Sequence, residues 1–289
     1  PDVTVVAPVF VAGSLQGFVV NRAHHADIGA ASPGSMPISH TLHEEGLVIP
    51  PGHLVRAGVP NQALFDRLQQ ATRNPQESMG DFNAQLAANR AGLTTLLRLI
   101  RQYGGLAFNQ GLRDLNAYAE RLARTALQEI PPGEYRFRDV LDDDGQGNQD
   151  IPIQVCVRVT HSAVEVDFAG TAAQVSGNVN CPLAVAAAAV FYVFRCLMPA
   201  QTPACAGAFR PIRLQAPEGC LLNACRPAAV AAGNVETSSR IVDVLLGALA
   251  QAVPQRIPSG SHGSMNNLAM VHAGSPAWDY YETIGGGMG

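Results

Sequence analysis

Apolar, β-branched residues crowd the start of the chain. Val3 to Val11 and Leu15 to Val20 read as the two strands of a hairpin, turned at Ala12-Gly13-Ser14. Pro8 has no N–H for a ladder, so its strand is an edge or carries a bulge there. Apolar residues occupy both faces of this pair, which predicts cover on both sides. The return strand carries Arg22, His24 and His25 to its far end, beside the start of the first strand. Neighbours in extended backbone point to opposite faces, so at most one of His24 and His25 shares a face with Asp2.

The pattern then changes. Residues 23–58 lose periodicity and carry Gly, Pro, Ser, His40, His43, Glu44 and Glu45, a long loop of the kind that builds sites. Asn74-Pro75-Gln76-Glu77 is a helix start, and Phe82, Leu86, Leu93, Leu96, Leu97 and Ile100 follow at helical spacing up to Gly104-Gly105. A second helix near 107–129 stops at Pro131-Pro132-Gly133, and the two predict an antiparallel pair. A period of two returns over 133–171, interrupted by the turn Asp142-Asp143-Asp144-Gly145. That turn resembles the start of a calcium loop but lacks its later Glu, and it reads as a solvated turn.

Beyond it, 182–198 predicts a buried helix and 208–216 a strand. A second buried helix, capped by Asn234, is expected over 235–252, with glycine-flanked strands over 260–284. The whole reads as an α+β fold: mixed β-sheets, a long helical pair inserted, and buried helices. Its segments are a hairpin and site loop (1–58), a helical stretch (59–131) and an α/β stretch (132–289), all within one domain. Pro1 opens directly into a strand and the chain stops in Gly285-Gly286-Gly287-Met288-Gly289, so it reads as a fragment of a larger protein.

Composition narrows the functions. With 47% hydrophobic and 15% charged residues the chain is globular rather than disordered. A net charge of −4 and the absence of a basic cluster argue against nucleic acid. All 19 basic residues are arginine, so neither a phosphate-loop lysine nor a Schiff-base lysine is available here. No apolar run reaches the roughly 18 residues of a membrane span. Cys156, Cys181, Cys196, Cys205, Cys220 and Cys225 read as reduced, buried thiols of a cytoplasmic protein.

The candidate chemistry concentrates at the hairpin. Asp2, His24, His25 and Asp27 are metal-capable side chains at its two ends, and mixed imidazole and carboxylate donors suit Zn, Mn or Fe. Three further polar constellations stand at predicted strand or helix ends. They are Ala232 to Ser238 with Asn234 and Glu236, Ser259 to Asn267 with His262 and Asn266, and Tyr280 to Gly287 with Glu282 and Gly286.

These stretches also carry a resemblance. Asn21-Arg22-Ala23-His24-His25-Ala26-Asp27-Ile28-Gly29, Ser32 to Pro37, Glu44-Glu45-Gly46-Leu47, Gly80 to Gln85 with Ala88-Asn89-Arg90, Gly233 to Ser238 and Tyr281 to Gly289 are similar to the hydantoinase B/oxoprolinase family, in that family's order. The resemblance implies a hydantoinase A-type partner, subunit or domain, that holds ATP-Mg, and so a hetero-oligomer. It implies a divalent metal, Mn favoured over Zn or Fe, on Asp2 and His24, with a further histidine ligand two positions before residue 1. It implies a small cyclic amide as substrate, hydrolysed as by 5-oxoprolinase or N-methylhydantoinase. His25, Asp27 and Glu45 are then the candidate acid–base residues, and Asn234, Glu236, His262, Asn266, Glu282 and Gly286 candidate substrate contacts. The alternatives are a carboxylase alpha subunit of the acetone or acetophenone type and a scaffold without catalysis of its own.

Overall fold

A computed structural model describes residues 2–276 and 278–284. In chain order its elements are β1 (Asp2–Val11), β2 (Ser14–His24), β3 (Val55–Arg56), β4 (Val59–Pro60), α1 (Gln62–Ala71), α2 (Pro75–Tyr103), α3 (Gly105–Leu127), β5 (Gly133–Asp143), β6 (Gln149–Val159), β7 (Val164–Asp167), α4 (Leu183–Cys196), β8 (Ile212–Gln215), α5 (Glu236–Ala250), β9 (Asn266–His272) and β10 (Trp278–Ile284). The class is α+β, and no helix among the described residues is long and apolar enough to cross a membrane. The chain forms two compact units, one of Pro1–Pro37, His43–Gly111 and Asn267–Glu282, the other of Ile38–Leu42, Leu112–Asn266 and Thr283–Gly289.

In the first unit β1 and β2 pair antiparallel around a tight turn in which Ala12 and Gly13 both have positive φ. That backbone matches the right-handed twist of a two-residue hairpin. The register slips between Val9 and Phe10, one residue past Pro8, which accommodates the missing donor as a bulge. Asn74 caps α2 by accepting from the Glu77 N–H, as the Asn-Pro signal predicts. Phe82 of α2 joins Ile28, Phe65 and Leu68 in a small core, with Val3 packed against it.

Two expectations are corrected here. The hairpin is covered on one face, where Val5 and Val9 are buried; Val6, Phe10, Phe18 and Val20 of the other face are more than half exposed. The two long helices follow one another as expected but do not pack as an antiparallel pair. α2 spends its apolar stripe on the hairpin and α1, while Ala119, Ala123, Ala126 and Leu127 of α3 belong to the other unit's core. The cost of burying a stripe twice explains the difference: each helix has one such face, and each is used once.

The second unit is built on a sheet ordered β5-β6-β7-β8, antiparallel except for the parallel β7–β8 pair. Ile151, Ile153, Val155, Val157 and Val159 of β6 alternate into its core together with α4 and α5. On the other face Glu134, Arg158 and Glu165 stand in register and form ion pairs across three strands. β8 is shorter than expected because residues 206–209 form a 3-10 turn before it.

Asp144 is buried rather than solvated: it accepts from the Gln146, Asn148 and Gly177 main-chain N–H groups and from the Asn148 side chain. Asn234 is not the cap of α5; it ends a 3-10 turn and Val235 takes the cap position without a side-chain bond. The thiols are all free, but Cys196 is exposed and Cys205 and Cys225 are half-buried.

Candidate functional site at the hairpin end

β1 and β2 are long enough to put Asp2 opposite His24 in the register. Directly opposed residues share a face. Asp2 Oδ1 lies 3.1 Å from His24 Nδ1, and the Arg22 guanidinium stands 3.9 Å from Asp2 Oδ2. Bonding to His24 holds the Asp2 carboxyl below its ordinary value, against the opposing effect of partial burial, with the charges of His24 and Arg22 adding to it. Both side chains remain about one-third exposed, at 34% each.

The Tyr281 ring of β10 stacks on His24 at 5.9 Å between centroids. Gly34 makes room for it, because a Cβ there would stand 2.2 Å from the ring. The Tyr281 hydroxyl donates to Asn267 Oδ1 at 3.0 Å. Tyr281 escaped the sequence reading, which chose Glu282 beside it. Alternation along β10 turns Glu282 to the other side, where it accepts from Tyr280.

His25 goes its own way, as neighbours at a strand end must. It is 1% exposed, stacks on Phe82 at 4.3 Å, and its Nε2 lies 3.0 Å from Gln85 Oε1. Gln85 is a second residue that sequence reasoning missed as part of a site. The signal was available: Gln85 and Asn89 interrupt the apolar stripe of α2 one turn apart. Gln85 Nε2 donates to Val3 O and Asn21 Oδ1, and Asn89 Nδ2 donates to Val5 O. Two amides of α2 thus supply donors to the β1 main chain.

Asp27 is 3% exposed and both its oxygens are engaged. Oδ1 accepts from Gly29 N and Arg73 Nη1, and Oδ2 from Arg73 N. Arg73 Nη2 also donates to Ala30 O and Ala31 O, so this pair shapes the loop after the hairpin. Glu45 is buried next to Gly46, in the segment whose Leu47 N–H donates to Ile28 O.

The remaining candidates fall in the second unit, apart from Glu282. Glu236, in the first turn of α5, accepts from Ser264 Oγ at 2.7 Å, and Asp243 accepts from Ser261 Oγ at 3.0 Å. His262 lies between those two serines and is exposed, as are Asn234 and Asn266. Gly286 lies outside the described residues.

Among the described residues no three His, Cys, Asp or Glu side chains converge as a metal set. Asp2 and His24 do fit a divalent ion in kind. A carboxylate oxygen and an imidazole nitrogen stand side by side, accessible on one face, and supply two of the roughly four to six donors such an ion takes.

A family model described as hydantoinase B/oxoprolinase matches residues 1–289. The chain belongs to the hydantoinase B/oxoprolinase family. Three relatives are matched by the whole chain. An uncharacterized protein of Methanocaldococcus jannaschii is 34% identical, and the match covers 50% of its length. The 5-oxoprolinase 1 of Arabidopsis thaliana is 35% identical over 24% of its length. The B subunit of a putative D-/L-hydantoinase from a Pseudomonas species is 33% identical over 51%. Among solved structures, an ATP-dependent caprolactamase from Pseudomonas jessenii superposes with a TM-score of 0.85 at 26% identity, covering 97% of this chain and 48% of that one. A nucleotide-free acetone carboxylase gives 0.78 at 16% identity, over 92% and 37%, which shows a shared fold. This hydantoinase B/oxoprolinase chain therefore spans about half, or less, of the length of these proteins.

Proposed function

We propose that this chain is the B part of an ATP-dependent hydrolase of cyclic amides, with its chemistry at the Asp2–His24 end of the hairpin. The observation that carries the reading is that pair: a carboxylate and an imidazole held face to face by strand register, in a chain of which 97% superposes on part of an ATP-dependent caprolactamase. The names of the relatives point the same way, since 5-oxoprolinases and hydantoinases act on ring amides. The likeness to acetone carboxylase concerns the fold and does not favour carboxylation.

Asp2 and His24 would hold a divalent ion, Mn before Zn or Fe. Such an ion, when bound, polarises a carbonyl oxygen or lowers the pKa of water. Tyr281 stacks on His24 and limits its rotation. His25 is the residue of the three acid–base candidates with an unengaged nitrogen; Asp27 shapes the loop through Arg73, and Glu45 is buried. Glu236, His262, Asn266 and Glu282 remain the proposed substrate contacts, with Asn234. ATP-Mg belongs to a hydantoinase A-type partner or domain, which agrees with the absence of lysine here. Free thiols throughout suit the reducing cytoplasm.

The test is to purify the full-length protein with its A-type partner and measure two quantities. These are bound metal by elemental analysis and ATP-dependent ring opening of 5-oxoproline, hydantoins and caprolactam. His24→Ala and Asp2→Asn are expected to lose both metal and turnover. Full turnover in both variants would refute the assignment, and turnover of acetone with bicarbonate alone would replace it by the carboxylase.

A further inference from the structure

We propose that Gln85 is a positioning residue that sets the tautomer of His25, so that Nδ1 is the nitrogen His25 offers to a hydrogen-bond donor. The argument is an accounting of donors and acceptors around one buried amide. Gln85 Nε2 lies 3.0 Å from Val3 O and 2.9 Å from Asn21 Oδ1. A main-chain carbonyl can only accept, so the nitrogen of the Gln85 amide must face Val3. The Asn21 amide is oriented in the same way, because its Nδ2 lies 2.8 Å from the main-chain oxygen of Gln85. Turning the Gln85 amide over would set its oxygen against two acceptors at once.

Gln85 Oε1 therefore faces His25, 3.0 Å from Nε2. In a neutral imidazole one nitrogen donates and the other accepts. An acceptor opposite Nε2 requires the proton there, which leaves the Nδ1 lone pair bare. The opposite tautomer would place two lone pairs 3.0 Å apart and bury an N–H with nothing to receive it. Nδ1 has no hydrogen-bond partner among the described residues, although His25 is 1% exposed.

An orphaned acceptor in such a position carries an unrecovered desolvation cost. That cost is recovered when a bound group brings an N–H or O–H to Nδ1. On the reading of this end of the hairpin as a cyclic-amide site, the donor is the ring N–H of the substrate. The tautomer itself does not depend on that reading. The chain of control runs from the β1 main chain through Gln85 to His25, which gives the helix amide a role beyond fastening the hairpin.

Nitrogen NMR of the full chain carrying 15N-labelled histidine reads the tautomer directly. The expected result is a single His25 species protonated at Nε2 and bare at Nδ1, assigned by loss of its signals in His25→Phe. Gln85→Met removes the acceptor opposite Nε2 and is expected to give a mixture of the two tautomers. A wild-type His25 protonated at Nδ1, or an unchanged single species in Gln85→Met, would overturn the proposal. If Gln85→Met does not fold, the wild-type spectrum still decides. Addition of 5-oxoproline, with its N-methylated analogue as control, tests the donor separately: a shift of the Nδ1 signal with the first alone identifies the ring N–H. A shift with neither rejects that donor and leaves the tautomer result standing.

Discussion

Gly233 sits so close to Asn180 that a Cβ at position 233 would stand 2.0 Å from the Asn180 main-chain oxygen. The segment it presses on is held from within. Asn180 Nδ2 donates to the carbonyls of Val175, Gly177 and Ala229, and its Oδ1 accepts from Val175 N. Thr237, the second residue of α5, donates to Val179 O in the same stretch. Gly233 and Thr237 of the Gly-Asn-Val-Glu-Thr-Ser motif are thus packing residues.

The segment cannot retreat without breaking the Asn180 bonds, so Gly233→Ala should destabilise by about 1–3 kcal/mol, the range of overpacked sites. Thermal unfolding should show a Tm lowered by roughly 3–10 °C. An unchanged Tm would mean that the segment yields freely.

Arg73→Ala should cost more, about 3–5 kcal/mol, because it strands the buried Asp27 carboxylate without its guanidinium. Arg73→Lys should recover little, since one ammonium cannot reach Asp27 and the Ala30 and Ala31 carbonyls in the same geometry. Urea denaturation of the three proteins measures this. Asp27→Asn serves as control: it removes the charge and should be milder than Arg73→Ala.

Much of the frame was legible without coordinates. Asn74-Pro75 marks the start of α2 because capping and a fixed φ are local properties, and the alternation over Ile151–Val159 marks β6 because it has one buried face. What escaped depends on neighbours distant in sequence. Apolar residues at Val6, Phe10, Phe18 and Val20 say that a face can be covered, not that it is. The Asp2–His24 pairing followed from hairpin geometry. The links from His25 to Gln85 and from His24 to Tyr281 join residues 60 and 257 positions apart, and no period or spacing encodes them. Gln85 alone left a trace, as a polar residue within an apolar stripe.

The thiols offer a check on burial in the second unit. Burial, with the nearby Cys220 thiol adding to it, pushes Cys181 up to about 12, and burial raises Cys220 and Cys156 as well. The thiolate is the reactive form, so all three should resist alkylation in the native protein. Cys196 is exposed on α4 and should react first. Mass spectrometry after a timed iodoacetamide treatment should find label on Cys196 and none on Cys181 until denaturant is added. Early labelling of Cys181 would contradict the packing of α4 against the sheet.

Asp144 provides a prediction in pH. Burial alone would raise its carboxyl above the ordinary 3.8, but hydrogen bonds from the Asn148 side chain and from the Gln146, Asn148 and Gly177 N–H groups outweigh it, and the folded value is lowered. A carboxyl lowered on folding stabilises the native state at every pH above its unfolded value. That contribution is lost as the pH falls below 3.8 and through the lower folded value. Asp144→Asn cannot accept the same charge-assisted bonds and should cost about 1–3 kcal/mol near pH 7. The gap between wild type and variant should then narrow below 3.8 as Asp144 takes up its proton. Other lowered carboxyls such as Glu120 and Glu134 titrate in both proteins, so they cancel in the difference. Denaturant curves at a series of pH values give that difference directly. A gap that stays constant with falling pH would show that Asp144 acts through its shape and not through its charge.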